Sequence, residues 1–158
     1  MKIAPRFAVA LALLTLGAAP MAQADSTRET PPAAVPAPAG RPSLDAAQKK
    51  VDAGDYRGAI PILTEIVKAE PNNADALNLM GFCLRKTGQT TLALQYYNRA
   101  LALMPKHLGA NEYLGELYVE LGQIDKAKER LAVLRAACGQ CEQERDLSEA
   151  IEKAQKRS

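Results

Sequence analysis

The fold is decided by residues 74–107, which read ADALNLMGFCLRKTGQTTLALQYYNRALALMPKH. The apolar residues of this stretch recur at the three- and four-residue spacing of a helix, pause at Gly88 and resume until Pro105. Glycine adopts the left-handed conformation that ends a helix at little cost, and proline cannot continue a helical hydrogen-bond ladder. The stretch therefore predicts two helices joined by a short turn and no strand.

The same pattern occurs before and after this stretch at a spacing of 34 residues. Three series share the register: Gly54, Gly88 and Gly122; Ala59, Ala93 and Ala127; Pro71, Pro105 and, at the third turn, Gly139. An ordinary helical bundle does not explain three series in one register. The sequence thus predicts three helix-turn-helix units at about 43–71, 74–105 and 108–139, within residues 43–141.

These units resemble the tetratricopeptide repeat, whose 34-residue unit has large, small and proline positions in a fixed order. The middle unit matches best, with Leu77, Met80, Gly81, Leu84, Ala93, Tyr97, Ala100 and Pro105. The resemblance implies an all-α fold of stacked antiparallel helix-turn-helix repeats, a TPR-like right-handed solenoid. It also implies that the first helix of each unit lines a concave side on which ligands are held.

Residues 142–158 form a further helical segment with a single narrow apolar stripe. The stripe consists of Leu147, Ala150, Ile151 and Ala154, and charged residues occupy the remaining positions. A helix with one polar face suits the open end of a repeat stack, which needs a soluble outer surface. We therefore expect a C-terminal capping helix that covers the third unit.

The amino-terminal end has the features of a secretory signal peptide. Lys2 and Arg6 precede the apolar run Phe7–Ala19, and the small-residue pattern Ala22-Gln23-Ala24 follows. The run is far shorter than the roughly 20 residues of a membrane-spanning helix. We expect cleavage after Ala24 and no membrane insertion afterwards, the alternative being a retained signal anchor. The protein would then be exported, to the periplasm if the source is a Gram-negative bacterium and otherwise as a secreted protein.

Residues 25–42 are predicted to form a disordered Pro/Ala-rich linker, because they contain five prolines and no aromatic residue. Loss of residues 1–24 would leave 18 basic and 18 acidic residues. A net charge near zero argues against an electrostatic footprint for nucleic acid or for an anionic membrane.

Helical geometry selects candidate residues for a peptide-binding groove on the first helices of the second and third units. They are Asn78, Phe82, Arg85 and Lys86 in the second unit, and Glu112, Glu116, Val119 and Glu120 in the third, with Tyr113 at the margin. Phe82 is the most informative candidate, because an outward ring without a core role is often a contact. The groove would be basic in one unit and acidic in the next, which suits a peptide of mixed charge. The alternative is that these side chains form solvated helix faces.

Some members of the family hold a terminal carboxylate in a clamp of Lys, Asn and Arg side chains on successive first helices. Leu44, Gln48, Leu79, Gly109 and Tyr113 occupy positions where this clamp would need those residues. Only Asn78 supplies a side chain of the kind that the clamp uses, so we expect a different mode of binding here.

Cys138 and Cys141 lie between the third unit and the last helix. In an oxidising compartment such a close pair is expected to form a local disulfide that pins the capping helix. A redox motif would need a strand-helix-strand context, and haem attachment would need a histidine where Glu142 stands. A zinc site would need Cys83 or His107, which lack paired spacing. We expect no metal and no cofactor, a buried Cys83 and a solvated His107.

These features predict a non-catalytic protein-protein interaction scaffold or adaptor of the periplasm or cell envelope. Its partner would be another protein or a peptide whose identity the residues do not indicate. A second hypothesis is a thiol-disulfide accessory factor that uses Cys138 and Cys141. An enzyme is not expected, since the sequence has no phosphate-cradling glycine-rich loop, metal constellation or nucleophile with a convergent histidine and acid.

Overall fold

The structure is a computed structural model that describes residues 42–157. Its regular structure in that range is α1 Leu44–Asp52, α2 Tyr56–Ala69, α3 Ala74–Lys86, α4 Thr90–Leu103, α5 Leu108–Glu120, α6 Ile124–Cys138 and α7 Glu142–Gln155. No strand occurs among these residues, and the helices pair in chain order, which confirms the predicted all-α stack of helix-turn-helix repeats. The predicted signal peptide, the linker up to residue 41, and Ser158 lie outside the described residues.

The turn inside each unit is fixed by a glycine with a positive φ angle. Gly54, Gly88 and Gly122 have φ values of 74°, 81° and 70°. In each turn the amide of the following residue donates to the carbonyl five positions earlier at 2.8 Å, as in the bond from Gln89 to Leu84. This bond satisfies a terminal carbonyl of the first helix and directs the chain back along it. Each glycine of the 34-residue series therefore marks the same kind of chain reversal between two helices.

Capping at the helix starts differs from one helix to the next. The side chains of Asp55 and Asn73 accept hydrogen bonds from the amides of Gly58 and Ala76, each at 2.9 Å. Gln89 and Gln123 make no capping hydrogen bond. The helices that begin at the two Asx caps thus gain a local stabilisation that α4 and α6 lack.

The prediction that His107 is solvated is wrong. Only 11% of its side chain is exposed, and its Nδ1 accepts a hydrogen bond from the Ala110 amide at 3.2 Å. Its Nε2 lies 3.0 Å from an oxygen of Asp75. His107 stands one repeat after Asn73 and takes the same capping position, now at the start of α5.

Small residues in the first helices allow close packing against larger side chains. A Cβ atom added at Gly81 would lie 2.7 Å from Cδ1 of Tyr97, a ring that is completely buried. A Cβ atom added at Gly115 would lie 2.7 Å from Cδ1 of Leu147 in α7. Cys83 is fully buried in the same core, as predicted.

Helix α7 packs on both helices of the third unit. Leu147 and Ile151 are buried together with Leu131 and Leu134 of α6, while Ala150 and Ala154 are half-buried. Arg135 of α6 donates to Glu144 of α7 at 2.8 Å. At the turn between these helices the sulfur atoms of Cys138 and Cys141 are 2.04 Å apart and bonded.

Candidate peptide-binding groove

The first helices α3, α5 and α7 lie side by side, with α5 between the other two. A cleft of about 300 Å³ opens between them. It is lined by Arg85, Lys86, Glu116, Val119, Glu120, Ala150, Lys153, Ala154 and Arg157. The cleft thus brings together five of the predicted groove candidates, which are Arg85, Lys86, Glu116, Val119 and Glu120.

Arg85 lines the cleft and also links two units. Its side chain is only 4% exposed. One guanidinium nitrogen lies 2.5 Å from Glu116 and the other 3.3 Å from Glu120. Burial acts to lower the pKa of Arg85, but Tyr97, Glu116 and Glu120 together raise it above its ordinary value. Charged residues of the second and third units therefore pair with each other through this network.

Phe82 belongs to an aromatic cluster that joins the three units. Its ring centroid lies 5.7 Å from that of Tyr56, edge to face, and 4.8 Å from that of Tyr113. The Lys86 ammonium lies 5.3 Å from the Phe82 centroid, within the range of a cation-π interaction. Phe82 is half-buried. The ring thus has the packing role that the sequence interpretation denied it, and its contact with a partner stays a prediction.

The groove candidates Asn78 and Glu112 occupy equivalent positions on α3 and α5; both are buried, and neither lines the cleft. Their exposed fractions are 9% and 7%. Burial, together with the nearby carboxylates of Glu116, Asp146 and Glu142, raises the pKa of Glu112 to about 7. Near neutral pH this carboxyl is therefore only partly ionised. Burial likewise raises the pKa of the Tyr113 phenol.

Two cleft residues, Lys153 and Arg157, were missed because α7 was interpreted only as a cap. The sequence held a signal for them. Only residues 139–141 separate α6 from α7, so the chain must reverse and α7 must run beside α5. Helix α7 therefore takes the place of the first helix of a fourth unit and presents Lys153 and Arg157 to the groove.

Residues 42–157 contain no group of three or more His, Cys, Asp or Glu side chains that could hold a metal ion. Burial raises the pKa of the Cys83 thiol to about 11, which makes it a poor nucleophile. The described part of the chain has no strand-helix-strand unit around Cys138 and Cys141, so the thiol-disulfide hypothesis gains no support. No helix in this part of the chain is long and apolar enough to cross a bilayer.

Sequence comparison identifies the class of protein that this fold defines. Two profiles described as tetratricopeptide repeat match residues 44–107 and 84–151, and together they extend from α1 into α7. The chain belongs to the tetratricopeptide repeat family. This repeat fold indicates a protein-protein interaction scaffold, and proteins of the family are generally not enzymes.

Among known proteins, the human General transcription factor 3C polypeptide 3 is 36% identical over 89 residues. The match covers 56% of this chain, which spans only 10% of that protein's length. MamA from Desulfovibrio magneticus RS-1, solved from residue 41 to its end, is 22% identical with a TM-score of 0.60, and the match covers 72% of this chain and 64% of that one. The TPR2B domain of yeast Sti1, solved in complex with pHsp70, is 18% identical with a TM-score of 0.64, covering 71% and 92%. At these identities the solved structures establish the shared fold.

Proposed function

We propose that this protein is a non-catalytic scaffold that holds a peptide or a segment of another protein in the groove along α3, α5 and α7. The observation that carries the proposal is the cleft between these helices, where charged side chains stand on rigid elements. Stacked helical repeats form concave surfaces that suit extended ligands. The TPR2B domain of Sti1, which shares the fold, was solved with a protein ligand.

The size of the cleft suits part of a chain rather than a whole small-molecule ligand. A volume of about 300 Å³ lies at the lower limit for small-molecule sites. It accommodates one or two side chains of a segment that continues along the groove. The aromatic cluster around Phe82 and Tyr113 lies on the same helices and extends the available surface.

The non-catalytic part of the proposal rests on how the reactive groups are used. His107 is the single histidine of the chain, and both its ring nitrogens are engaged, one with the Ala110 amide and one with Asp75. Cys83 is fully buried. A nucleophile activated by histidine and held near the cleft is therefore not formed by the described residues.

We also propose that the protein is exported, to the periplasm if the source is Gram-negative. Support comes from the signal-peptide features, which are a basic amino terminus, a short apolar run and the cleavage pattern Ala22-Gln23-Ala24. The disulfide between Cys138 and Cys141 also supports export, because disulfides persist in oxidising compartments. Fractionation of the source cells followed by amino-terminal sequencing tests it. The expected product begins at Asp25 in the exported fraction, and a product that keeps residues 1–24 in the cytosol would contradict it.

Site-specific photo-crosslinking tests the groove. A photoreactive amino acid replaces Lys153 in the cleft or, as a matched control, Lys68 on the exposed surface of α2. Illumination of the source cells should yield a discrete adduct with another protein from position 153 and none from position 68. The same adducts from both positions, or adducts from position 68 alone, would refute the groove as the binding site.

A further inference from the structure

The charges that line the cleft are unequally paired. Glu116 and Glu120, the two acidic residues of the lining, both bind Arg85. Glu149 and Glu152 line an adjacent surface of α7 together with Lys153 and Arg157. Even so, Lys86, Lys153 and Arg157 form no ion pair among the described residues. We call these three residues and the cleft wall between them the basic cleft. Lys86 also lies over the Phe82 ring, but that contact does not cancel its charge.

The helix ends reduce the positive excess of the basic cleft without removing it. The basic cleft lies at the carboxyl ends of α3, α5 and α7, each of which carries about half a negative charge. The four cations and two carboxylates that line the cleft carry a net charge of +2, and three such helix ends offset roughly 1.5 of it. The ammonium and guanidinium groups stand on long, exposed side chains, so they can reach a ligand beyond these ends.

The opposite end of the groove is acidic. Glu142 and Asp146 lie in the first turns of α7, close enough to Glu112 to raise the pKa of its carboxyl. Asp146 and Lys153 are seven residues apart on one helix, a rise of about 10 Å. That distance is about one Debye length at physiological salt, so the acidic end is largely screened from the basic cleft. It repels an acidic ligand locally and thereby restricts such a ligand to the other end.

The wall of the basic cleft is built of small apolar residues. Val119 comes from α5, and Ala150 and Ala154 come from α7, all of them half-buried. Short side chains leave room for a ligand's backbone to approach the helices. A ligand that combines carboxylates with a small apolar residue therefore matches both the charges and the surface.

We infer that the basic cleft selects an acidic internal peptide segment, in which Asp or Glu side chains contact Lys86, Lys153 and Arg157 and an adjacent apolar residue rests on Val119, Ala150 and Ala154. The inference rests on the proposed function and adds the chemical class of the segment. Contact is through side-chain carboxylates and not through a free carboxyl terminus.

A displayed library of random 12-residue peptides, fused at both ends, tests the inference without knowledge of the natural partner. Selection is carried out on the purified protein, on the double variant Lys153→Ala, Arg157→Ala, and on the control Lys68→Ala, Lys106→Ala, whose residues are exposed outside the cleft. The parent and the control should enrich peptides at least twofold in Asp and Glu over the unselected library. The cleft variant should lose this excess, because it removes two of the three unpaired cations.

The best enriched peptide is then synthesised with an amidated carboxyl end. Replacement of its Glu and Asp residues by Gln and Asn should weaken binding about tenfold at low salt, since several exposed ion pairs are lost. Enriched peptides without an acidic excess would overturn the inference and leave the proposed function standing. Tight binding only by the free-carboxylate form would also overturn it. If the parent enriches no peptide at all, the proposed function falls together with the inference.

Discussion

Replacement of Glu112 by Gln should stabilise the protein at alkaline pH and leave its stability unchanged in mild acid. The pKa of this buried carboxyl rises from 4.5 to about 7 on folding. The folded state therefore holds the proton more tightly, and stability falls as pH rises from about 4.5 to about 7. The pKa difference corresponds to about 3 kcal/mol, and solvent screening at the groove reduces this to roughly 1–2 kcal/mol. Glutamine keeps the shape of the protonated side chain and does not ionise.

Urea unfolding at pH 5 and pH 8 measures this effect. We expect the parent and Glu112→Gln to agree within about 0.5 kcal/mol at pH 5, and the variant to be more stable by about 1–2 kcal/mol at pH 8. Glu149→Gln, on the exposed face of α7, is the matched control and should show no such difference. A Glu112→Gln variant that is equal to or less stable than the parent at pH 8 would refute the assignment of a buried, proton-holding carboxyl.

Four further predictions concern the free energy of unfolding, each measured by urea titration at neutral pH. His107→Ala should lose about 1 kcal/mol while His107→Asn retains stability, because asparagine can cap α5 as well; equal losses would contradict the cap. Tyr97→Phe should be neutral or stabilising by up to about 1 kcal/mol, since the buried hydroxyl has no hydrogen-bond partner among the described residues; a clear loss would reveal one. Gly81→Ala should cost about 1–3 kcal/mol through the clash with Tyr97, and a gain would show that the ring yields. Joint replacement of Cys138 and Cys141 by Ser should cost about 2 kcal/mol, as expected for so short a loop, and no change would argue against a structural role.

The repeat architecture could be predicted because its determinants are local. Gly54, Gly88 and Gly122 are needed for a backbone conformation that other residues rarely adopt, and Pro71 and Pro105 follow the ends of α2 and α4. Each of these constraints acts within a few residues of chain. Their recurrence at 34 residues therefore indicated the number and order of the helices without any knowledge of long-range packing.

The groove was harder to predict because a helical projection gives the direction in which a side chain points. It does not give the residue on the adjacent helix that the side chain meets. Arg85 was predicted to line the groove, but its pairing with Glu116 and Glu120 on the adjacent helix was not predicted. The repeat spacing in the sequence indicates both partners of Arg85. In a 34-residue repeat, residues 31 and 35 positions later flank the equivalent site on the next first helix, and these are Glu116 and Glu120.

Helix α7 shows the same limitation, because its buried face could be predicted and its polar face could not. Its apolar stripe correctly indicated that Leu147 and Ile151 pack on the third unit. The stripe carried no information on what the polar face would line. That information came from the short turn after Cys138, which places Lys153 and Arg157 in the cleft beside α5.

The most direct test of the groove is amide NMR mapping on the uniformly ¹⁵N-labelled protein, titrated with the amidated peptide most enriched in the library selection. The account predicts that shift changes concentrate on residues 82–86, 116–120 and 150–157, which line α3, α5 and α7. Changes concentrated instead on the exposed surfaces of α2, α4 and α6 would contradict it.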